Sequence, residues 1–202
     1  MDIGLEKSPS SLDRALLFAR NFFRHPKMLG SMIPSSRFLV NRVLREIDWS
    51  RAKVIVEFGP GVGVFTTEIL RRMRHDAALI VFETNGEFVD FLRRSIKDRR
   101  LQIIHGSAEE VRVKLGHLGY TYADYIISGI PYTTMPPAVR DTILHESRAL
   151  LGTSGIFLVY QFSRATLPFV QGVFSHVRLG FEPWNILPAT TYVCNTDDCS
   201  RN

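Results

Sequence analysis

One short stretch of the chain combines residue types that could hold a small molecule. The run Glu57-Phe58-Gly59-Pro60-Gly61-Val62-Gly63 follows the apolar segment Val54-Ile55-Val56. Glycines placed after a strand let the backbone turn tightly and approach a ligand closely. Glu83 ends the next apolar segment about 20 residues later, where the hydroxyl groups of a ribose would need a carboxylate acceptor. The spacing predicts a nucleotide-binding turn between a strand and a helix.

The elements that must position this turn follow from the hydrophobic pattern. Continuous apolar segments alternate with helical spacing, which indicates an α/β fold with a mainly parallel sheet covered on both faces. The predicted strands are 54–56, 79–82, 101–104, 123–127, 155–162, 176–181 and 185–194. The predicted helices are about 12–24, 36–47, 64–73, 86–97, 108–117, 137–151 and 168–175. The last two of the seven strands predict a C-terminal antiparallel hairpin added to the sheet.

Composition sets limits on the class of protein. The chain has 202 residues, 45% of them hydrophobic, which suits one α/β domain with a modest extension. We expect a helical extension over residues 1–50, a cofactor-binding domain over 51–194 and a disordered tail over 195–202. The net charge of +5 favours anionic partners, either nucleic acid or acidic lipid. No metal site is predicted, because Cys194 and Cys199 lack an accompanying histidine cluster.

The glycine turn, with Glu57 ahead of its first glycine, resembles that of the class I S-adenosyl-L-methionine-dependent methyltransferases, which have a Rossmann-like fold. The resemblance implies this cofactor, with S-adenosyl-L-homocysteine as its product. Glu57 would then fix the methionine amino group, directly or through water, and Glu83 would bind the ribose. The other residues that we expect in the cofactor site are Ser35, Ser36, Gly59, Gly61, Gly63, Ser107, Ala108 and Ser128. Ser107 stands where the family often has an aspartate near the adenine.

The segment Ser128-Gly129-Ile130-Pro131-Tyr132 follows the fourth predicted strand, where class I enzymes meet their substrates. It is similar to the Asn-Leu-Pro-Tyr motif of ribosomal RNA adenine dimethyltransferases. In that family the Asn carbonyl and the adjoining backbone accept hydrogen bonds from the adenine amine. The aligned residue here is Gly129, which has no side-chain acceptor.

Several stretches also resemble the soluble bacterial phospholipid N-methyltransferases, which make phosphatidylcholine from phosphatidylethanolamine. These stretches are Ile33-Pro34-Ser35-Ser36, residues 58–66, residues 128–131, Tyr160-Gln161-Phe162 and residues 184–189. The resemblance runs from about residue 12 to residue 193, and it departs at Ile186-Leu187-Pro188, where two prolines are common in the family. It implies methylation of phosphatidylethanolamine and of its mono- and dimethylated forms.

Methyl transfer to an amine needs a neutral nitrogen lone pair aligned with the sulfonium carbon. We place Gly129, Pro131, Tyr132 and Tyr160 at this reaction. Backbone carbonyls of residues 129–131 could orient the amine, and either tyrosine could relay its proton through water. Aromatic faces tolerate the quaternary ammonium product well, which adds Phe162 and Trp184 as candidates. For any single one of these rings, packing in the core is the more common role.

The predicted helix at about 12–24 is amphipathic and is followed by Arg24, His25 and Lys27. It suits either an interfacial anchor on anionic lipid or a helix packed on the sheet, and the family resemblance favours the membrane. We expect a cytoplasmic monomer at the membrane surface, with a phospholipid substrate and no stable nucleic-acid partner. The alternatives are a ribosomal RNA adenine N6-methyltransferase and a cofactor-binding or RNA-binding module without turnover.

Overall fold

The computed structural model describes residues 35–152 and 154–195. Within these ranges, helices alternate with strands up to the C-terminal pair. The elements are α1 (Arg37–Leu44), β1 (Val54–Phe58), α2 (Val64–Arg72), β2 (Ala78–Glu83), α3 (Gly86–Ser95), β3 (Leu101–His105), α4 (Val111–His117), β4 (Tyr125–Ser128), α5 (Pro137–Leu151), β5 (Ile156–Gln161), α6 (Leu167–Gln171), β6 (His176–Glu182) and β7 (Ala189–Asn195). Single 3₁₀ turns, Ala108–Glu110 and Arg164–Thr166, lead into α4 and α6.

The described strands form one seven-stranded sheet in the order β3-β2-β1-β4-β5-β7-β6. Strands β1 to β5 are parallel, and β7 pairs antiparallel with both β5 and β6. The predicted α/β class, the seven strands and the C-terminal hairpin are therefore confirmed. The strand order reverses between β1 and β4, and such a reversal opens a crevice at the carboxyl ends of the strands.

The core lies on both faces of the sheet because the central strands are apolar on both sides. Every residue of β1 is buried, and neighbouring residues of this strand face opposite layers. Val56 and Phe58 pack with α4, α5 and α6. Ile55 packs on the other face with α1 and α2.

The structure shifts several predicted boundaries. Predicted helix 36–47 is shorter, because Arg45 already caps α1. The last strand begins at Ala189 instead of residue 185, since the Asn185 side chain donates to the Leu187 carbonyl and closes a turn there. Helix α1 lies in the predicted N-terminal extension, yet its buried residues share a core cluster with the sheet. The predicted helix at 12–24 and residues 196–202 of the predicted tail lie outside the described residues. Across the ranges that are described, no helix is long and apolar enough to cross a bilayer.

Candidate active site

The glycine turn joins β1 to α2 at the carboxyl edge of the sheet. Gly59, Gly61 and Gly63 all have positive φ angles, of 71°, 53° and 77°, which L side chains rarely adopt. A Cβ atom at Gly59 would lie 2.8 Å from Ile130 Cγ2, and one at Gly63 would lie 2.7 Å from Leu92 Cδ2. A Cβ atom at Gly61 would meet nothing within 4 Å. Two glycines therefore allow close packing of the protein, whereas the third leaves open space beside the turn.

Glu83 connects the end of β2 to this turn. One of its carboxylate oxygens accepts from the Gly61 N–H at 3.1 Å, and the other accepts from the Asn85 N–H at 2.9 Å. Burial raises the pKa of Glu83, and these backbone hydrogen bonds oppose the shift. The carboxylate is thus held in place at the edge of the crevice.

Glu57 lies near the end of β1 and is 2% exposed. The Thr66 hydroxyl donates to its carboxyl group at 2.7 Å. Burial raises the pKa of Glu57 to about 8, the Thr66 hydrogen bond works in the opposite direction, and the Glu83 charge adds to the rise. No cationic side chain of the described residues is among the groups that shift this pKa. A ligand that carries a positive charge would supply the missing partner.

A cavity of about 340 Å³ lies against the glycine turn and Glu83. Five predicted cofactor residues line it, namely Gly59, Gly61, Glu83, Ser107 and Ala108. Glu57 and Gly63 are not among the lining residues. The opposite wall is apolar and includes Phe88, Met135, Val139 and Ile143. The size and the mixed lining suit a nucleoside-sized ligand, and Asn85 and the apolar wall were missed from the sequence because they carry no motif.

The other predicted cofactor residues have different surroundings. The Ser107 hydroxyl donates to the Glu109 carboxylate at 2.9 Å and also caps the 3₁₀ turn. The hydroxyls of Ser128 and Tyr132 are hydrogen-bonded to each other at 2.8 Å, away from the cavity. Ser36 caps α1, and its hydroxyl donates to the Trp184 carbonyl at 2.7 Å. Neither Ser36 nor Ser128 lines this cavity.

A second cavity, of about 160 Å³, also adjoins the loop that follows β4. It shares Gly129, Pro131 and Thr134 with the first cavity. Tyr160, Gln161 and Phe162, at the end of β5, form much of its remaining lining. The Gln161 side chain donates to the Ile130 carbonyl at 2.8 Å and so holds the shared loop. We call the first space the cofactor cavity and the second the acceptor cavity.

Tyr160 occupies the space beside Gly129. A Cβ atom at Gly129 would lie 2.9 Å from Tyr160 Cε2 and closer still to Cζ and the hydroxyl oxygen. The ring stacks on Phe65 with 4.7 Å between centroids. Burial and the Glu57 charge raise the pKa of Tyr160, and a hydrogen bond with Ser35 acts in the opposite direction. The neutral ring therefore forms a wall at position 129, where any side chain would require the ring or the loop to shift.

The structure separates Tyr132 from the other predicted catalytic residues. Its side chain is fully buried and packs edge-on against Phe157, with 6.5 Å between ring centroids. Burial raises the pKa of the Tyr132 hydroxyl. The residue lines neither cavity, so its position suits core packing, whereas Gly129, Pro131 and Tyr160 come together as expected. Trp184, another aromatic candidate, lies outside both cavities.

Two solved methyltransferases share this fold. Precorrin-6y C5,15-methyltransferase from Geobacter metallireducens superposes with a TM-score of 0.64 at 12% identity, over 82% of this chain and 94% of that one. Human methyltransferase-like protein 13, in complex with S-adenosylhomocysteine, gives 0.63 at 14% identity, over 89% and 84%. The fold is that of the class I S-adenosyl-L-methionine-dependent methyltransferases. Within that class, the chain belongs to the ribosomal RNA adenine dimethylase family, whose sequence model matches residues 23–150.

Two kinds of relative resemble this chain. An ornithine lipid N-methyltransferase from Singulisphaera acidiphila is 31% identical over 180 residues, which is 88% of this chain and 94% of the relative. Ribosomal RNA small subunit methyltransferase A from Mycoplasma capricolum is 29% identical over 107 residues, which is 52% of this chain and 39% of the relative. The predicted relation to lipid N-methyltransferases and to RNA adenine dimethyltransferases is confirmed.

The chain is therefore an S-adenosyl-L-methionine-dependent methyltransferase, and its residues fit that cofactor. Gly61 leaves open space beside Glu83, which can accept from ribose hydroxyls. No cation of the described ranges is among the groups that shift the pKa of the buried Glu57, so this carboxyl stays the candidate partner of the cofactor's ammonium group, directly or through water. When bound, the cofactor supplies an electrophilic methyl group on a sulfonium.

Proposed function

We propose that this enzyme methylates the amine of a membrane aminolipid, with phosphatidylethanolamine as the substrate, and that it continues through the mono- and dimethylated forms. The reaction takes place at the cytoplasmic face of a membrane, from which the headgroup reaches the acceptor cavity. The nitrogen lone pair forms the new C–N bond as the C–S bond breaks, and one proton leaves the nitrogen for each methyl group added.

The pairing of Gly129 with Tyr160 carries this proposal. In the RNA enzymes that the segment resembles, an Asn side chain at the aligned position accepts from adenine. Here the Tyr160 ring fills the space of any side chain at position 129. The acceptor amine therefore meets backbone and a tyrosine face instead of a carboxamide. This surrounding suits a small aliphatic amine that becomes a quaternary ammonium.

The groups around the acceptor cavity position the amine and do not act as a strong base. Among the described residues that line it, none is a carboxylate or a histidine. None of the described groups donates a hydrogen bond to the Gly129 carbonyl, so that oxygen is available to accept from the amine. Tyr160 stays neutral because its pKa is raised. The amine thus reacts as its free base, and water carries away the proton.

A second substrate has its own support. The relative from Singulisphaera acidiphila is an ornithine lipid N-methyltransferase, and its match to this chain extends over nearly the whole length of both proteins. An ornithine lipid also presents a primary aliphatic amine at a membrane surface. The chemistry of the acceptor cavity fits either headgroup.

Methyl transfer to defined acceptors tests the proposal. The purified protein is incubated with labelled S-adenosyl-L-methionine and detergent-dispersed phosphatidylethanolamine, ornithine lipid or phosphatidylcholine, or with small-subunit ribosomal RNA. We expect label in an aminolipid and none in phosphatidylcholine, which has no free position on nitrogen. Label in RNA with none in either aminolipid would contradict the proposal and favour the adenine methyltransferase alternative. Cofactor binding without transfer to any acceptor would favour a module without turnover.

A further inference from the structure

The connection between β6 and β7 exposes large apolar side chains. This hairpin loop, residues 183–188, presents Trp184 at 72% exposure, Ile186 at 73% and Leu187 at 43%. Isolated apolar side chains on a surface are ordinary, but three within four consecutive positions form a projecting apolar tip. Phe38, in the first turn of α1, is also exposed, and this turn is hydrogen-bonded to the loop through Ser36.

Hydrogen bonds to α1 and within the loop hold the base of the tip in place. Asn185 is buried, accepts from the Ser36 N–H at 2.7 Å and donates to the Leu187 carbonyl at 2.9 Å. The Trp184 N–H donates to Glu182, and the Trp184 carbonyl accepts from the Ser36 hydroxyl. Glu182 is in turn paired with Arg42 at 2.9 Å. These hydrogen bonds would persist when the loop enters the headgroup region of a bilayer, where water is available to the loop's remaining backbone groups.

The hairpin loop lies at the same edge of the sheet as the active site. In the antiparallel β5–β7 pair, Gln161 at the end of β5 is opposite Thr190, just after the loop. The acceptor cavity opens among residues at that end of β5. Arg37 and Arg164 are exposed near this edge, and neither forms an ion pair with an acidic residue of the described ranges. The apolar tip and these two cations, of which Arg37 lies over the exposed Phe38 ring, together suit the headgroup region of an anionic bilayer.

We propose that the hairpin loop inserts Trp184, Ile186 and Leu187 into the headgroup region of the membrane and so sets the acceptor cavity against the bilayer surface. The inference rests on the proposed lipid substrate for its purpose, but membrane binding by the loop can be measured separately. A second protein copy is a less suitable occupant, because three exposed side chains on one short loop do not form the broad, flat face that a stable dimer needs.

Trp184 itself reports on the insertion. The chain has two tryptophans, and Trp49 is half-buried against the core. The variant Trp49→Phe leaves Trp184 as the sole indole. With vesicles of phosphatidylethanolamine and phosphatidylglycerol, we expect its emission to shift to shorter wavelength and to be quenched by brominated acyl chains. The matched control Trp184→Phe, which retains Trp49, should show neither change.

Function is then measured on two forms of the lipid. The double variant Trp184→Ser/Ile186→Ser should bind vesicles at least about tenfold more weakly, because two apolar side chains are no longer buried in the bilayer. Its activity on detergent-dispersed aminolipid and its cofactor affinity should be unchanged.

Unshifted Trp184 emission at saturating vesicles, with activity on dispersed lipid intact, would overturn the proposed insertion alone. A shift that depends on protein concentration without vesicles would overturn it in favour of a second copy. Absence of transfer to any aminolipid would instead contradict the proposed function, whatever the fluorescence shows.

Discussion

At the scale of single residues, the most informative group is the buried carboxyl of Glu57. Burial raises its pKa to about 8, against an unfolded value near 4.5. Between these two pH values the folded state holds a proton that the unfolded chain has released. The free cofactor site is thus protonated at neutral pH, and binding of the cofactor's ammonium group should release that proton.

The Glu57 carboxyl makes the stability of the cofactor-free enzyme depend on pH. A raised folded pKa stabilises the native state fully below pH 4.5, and this contribution is lost as the pH rises through about 8. Within that window we expect the free energy of unfolding to fall by up to about 1.4 kcal/mol per pH unit relative to Glu57→Gln. Urea unfolding of both proteins at pH 6 and pH 8.5 measures this difference. A difference that is the same at both values would contradict the raised pKa.

Removal of the Glu83 carboxylate should weaken cofactor binding. In Glu83→Ala, the ribose hydroxyls and the Gly61 N–H would lose their acceptor, at a cost of about 1–3 kcal/mol in affinity. Titration calorimetry with S-adenosyl-L-homocysteine measures it. Asp90→Ala, an exposed position on α3, is the matched control and should bind as the wild type does. Unchanged affinity in Glu83→Ala would contradict our placement of the ribose.

The Gly129–Tyr160 contact should make position 129 intolerant of any side chain. Gly129→Ala would push the Tyr160 ring or the shared loop away, and a displacement of about 1 Å can cost about 100-fold in rate. Gly116→Ala is the control, because a Cβ atom there would meet nothing within 4 Å. Steady-state kinetics on dispersed lipid compares the two. Recovery of Gly129→Ala when Tyr160 is also truncated to Ala would identify the contact as the cause, and an active single variant would refute it.

At the scale of elements, two motifs that are distant in sequence are joined by hydrogen bonds. The Ile33-Pro34-Ser35-Ser36 stretch and residues 184–189 both resembled the lipid enzymes. In the structure Ser36 is hydrogen-bonded to Trp184 and Asn185 through backbone and side chain. This junction fixes the start of α1 to the hairpin loop and places Ser35 against Tyr160.

Loss of the junction should destabilise the fold. In Asn185→Ala, the Ser36 N–H loses its acceptor and the Leu187 carbonyl loses its donor at a buried site, for about 1–3 kcal/mol. Chemical denaturation measures the change, with Ser175→Ala at an exposed position as the control. If Asn185→Ala unfolds at the wild-type denaturant concentration, the junction contributes nothing to stability.

The elements were predictable where their signals are local in sequence. Buried parallel strands such as β1 are continuous apolar runs, and the glycine turn with Glu83 follows directly from residue order. The predicted helix ends differ from the observed ones, because a cap such as Arg45 after α1 leaves no signal in the hydrophobic periodicity. Tyr132 was assigned to the reaction because it adjoins Pro131, but its side chain reaches Ser128 and the core. The contact of Tyr160 with Gly129 needed the register of β4 against β5, which no local pattern contains.

At the scale of the whole molecule, the two cavities meet at a single loop. Gly129, Pro131 and Thr134 are the residues that line both, and the remaining lining of each is its own. Gln161 holds that loop from the acceptor side. Cofactor and acceptor therefore have largely separate linings that meet at this loop, where the methyl group must pass directly from sulfur to nitrogen.

The largely separate linings of the two cavities bear on how successive methyl groups are added. S-adenosyl-L-homocysteine can be exchanged for new cofactor in the cofactor cavity while the lipid stays in the acceptor cavity. We therefore expect processive catalysis, in which the mono- and dimethylated lipids stay bound between turnovers. With lipid in large excess over enzyme, fully methylated product should appear while free intermediates remain below the enzyme concentration, as chromatography of labelled lipids would show. Free intermediates that accumulate first would indicate distributive release. The separate linings of two adjoining cavities would thus govern the mixture of lipids that the membrane receives.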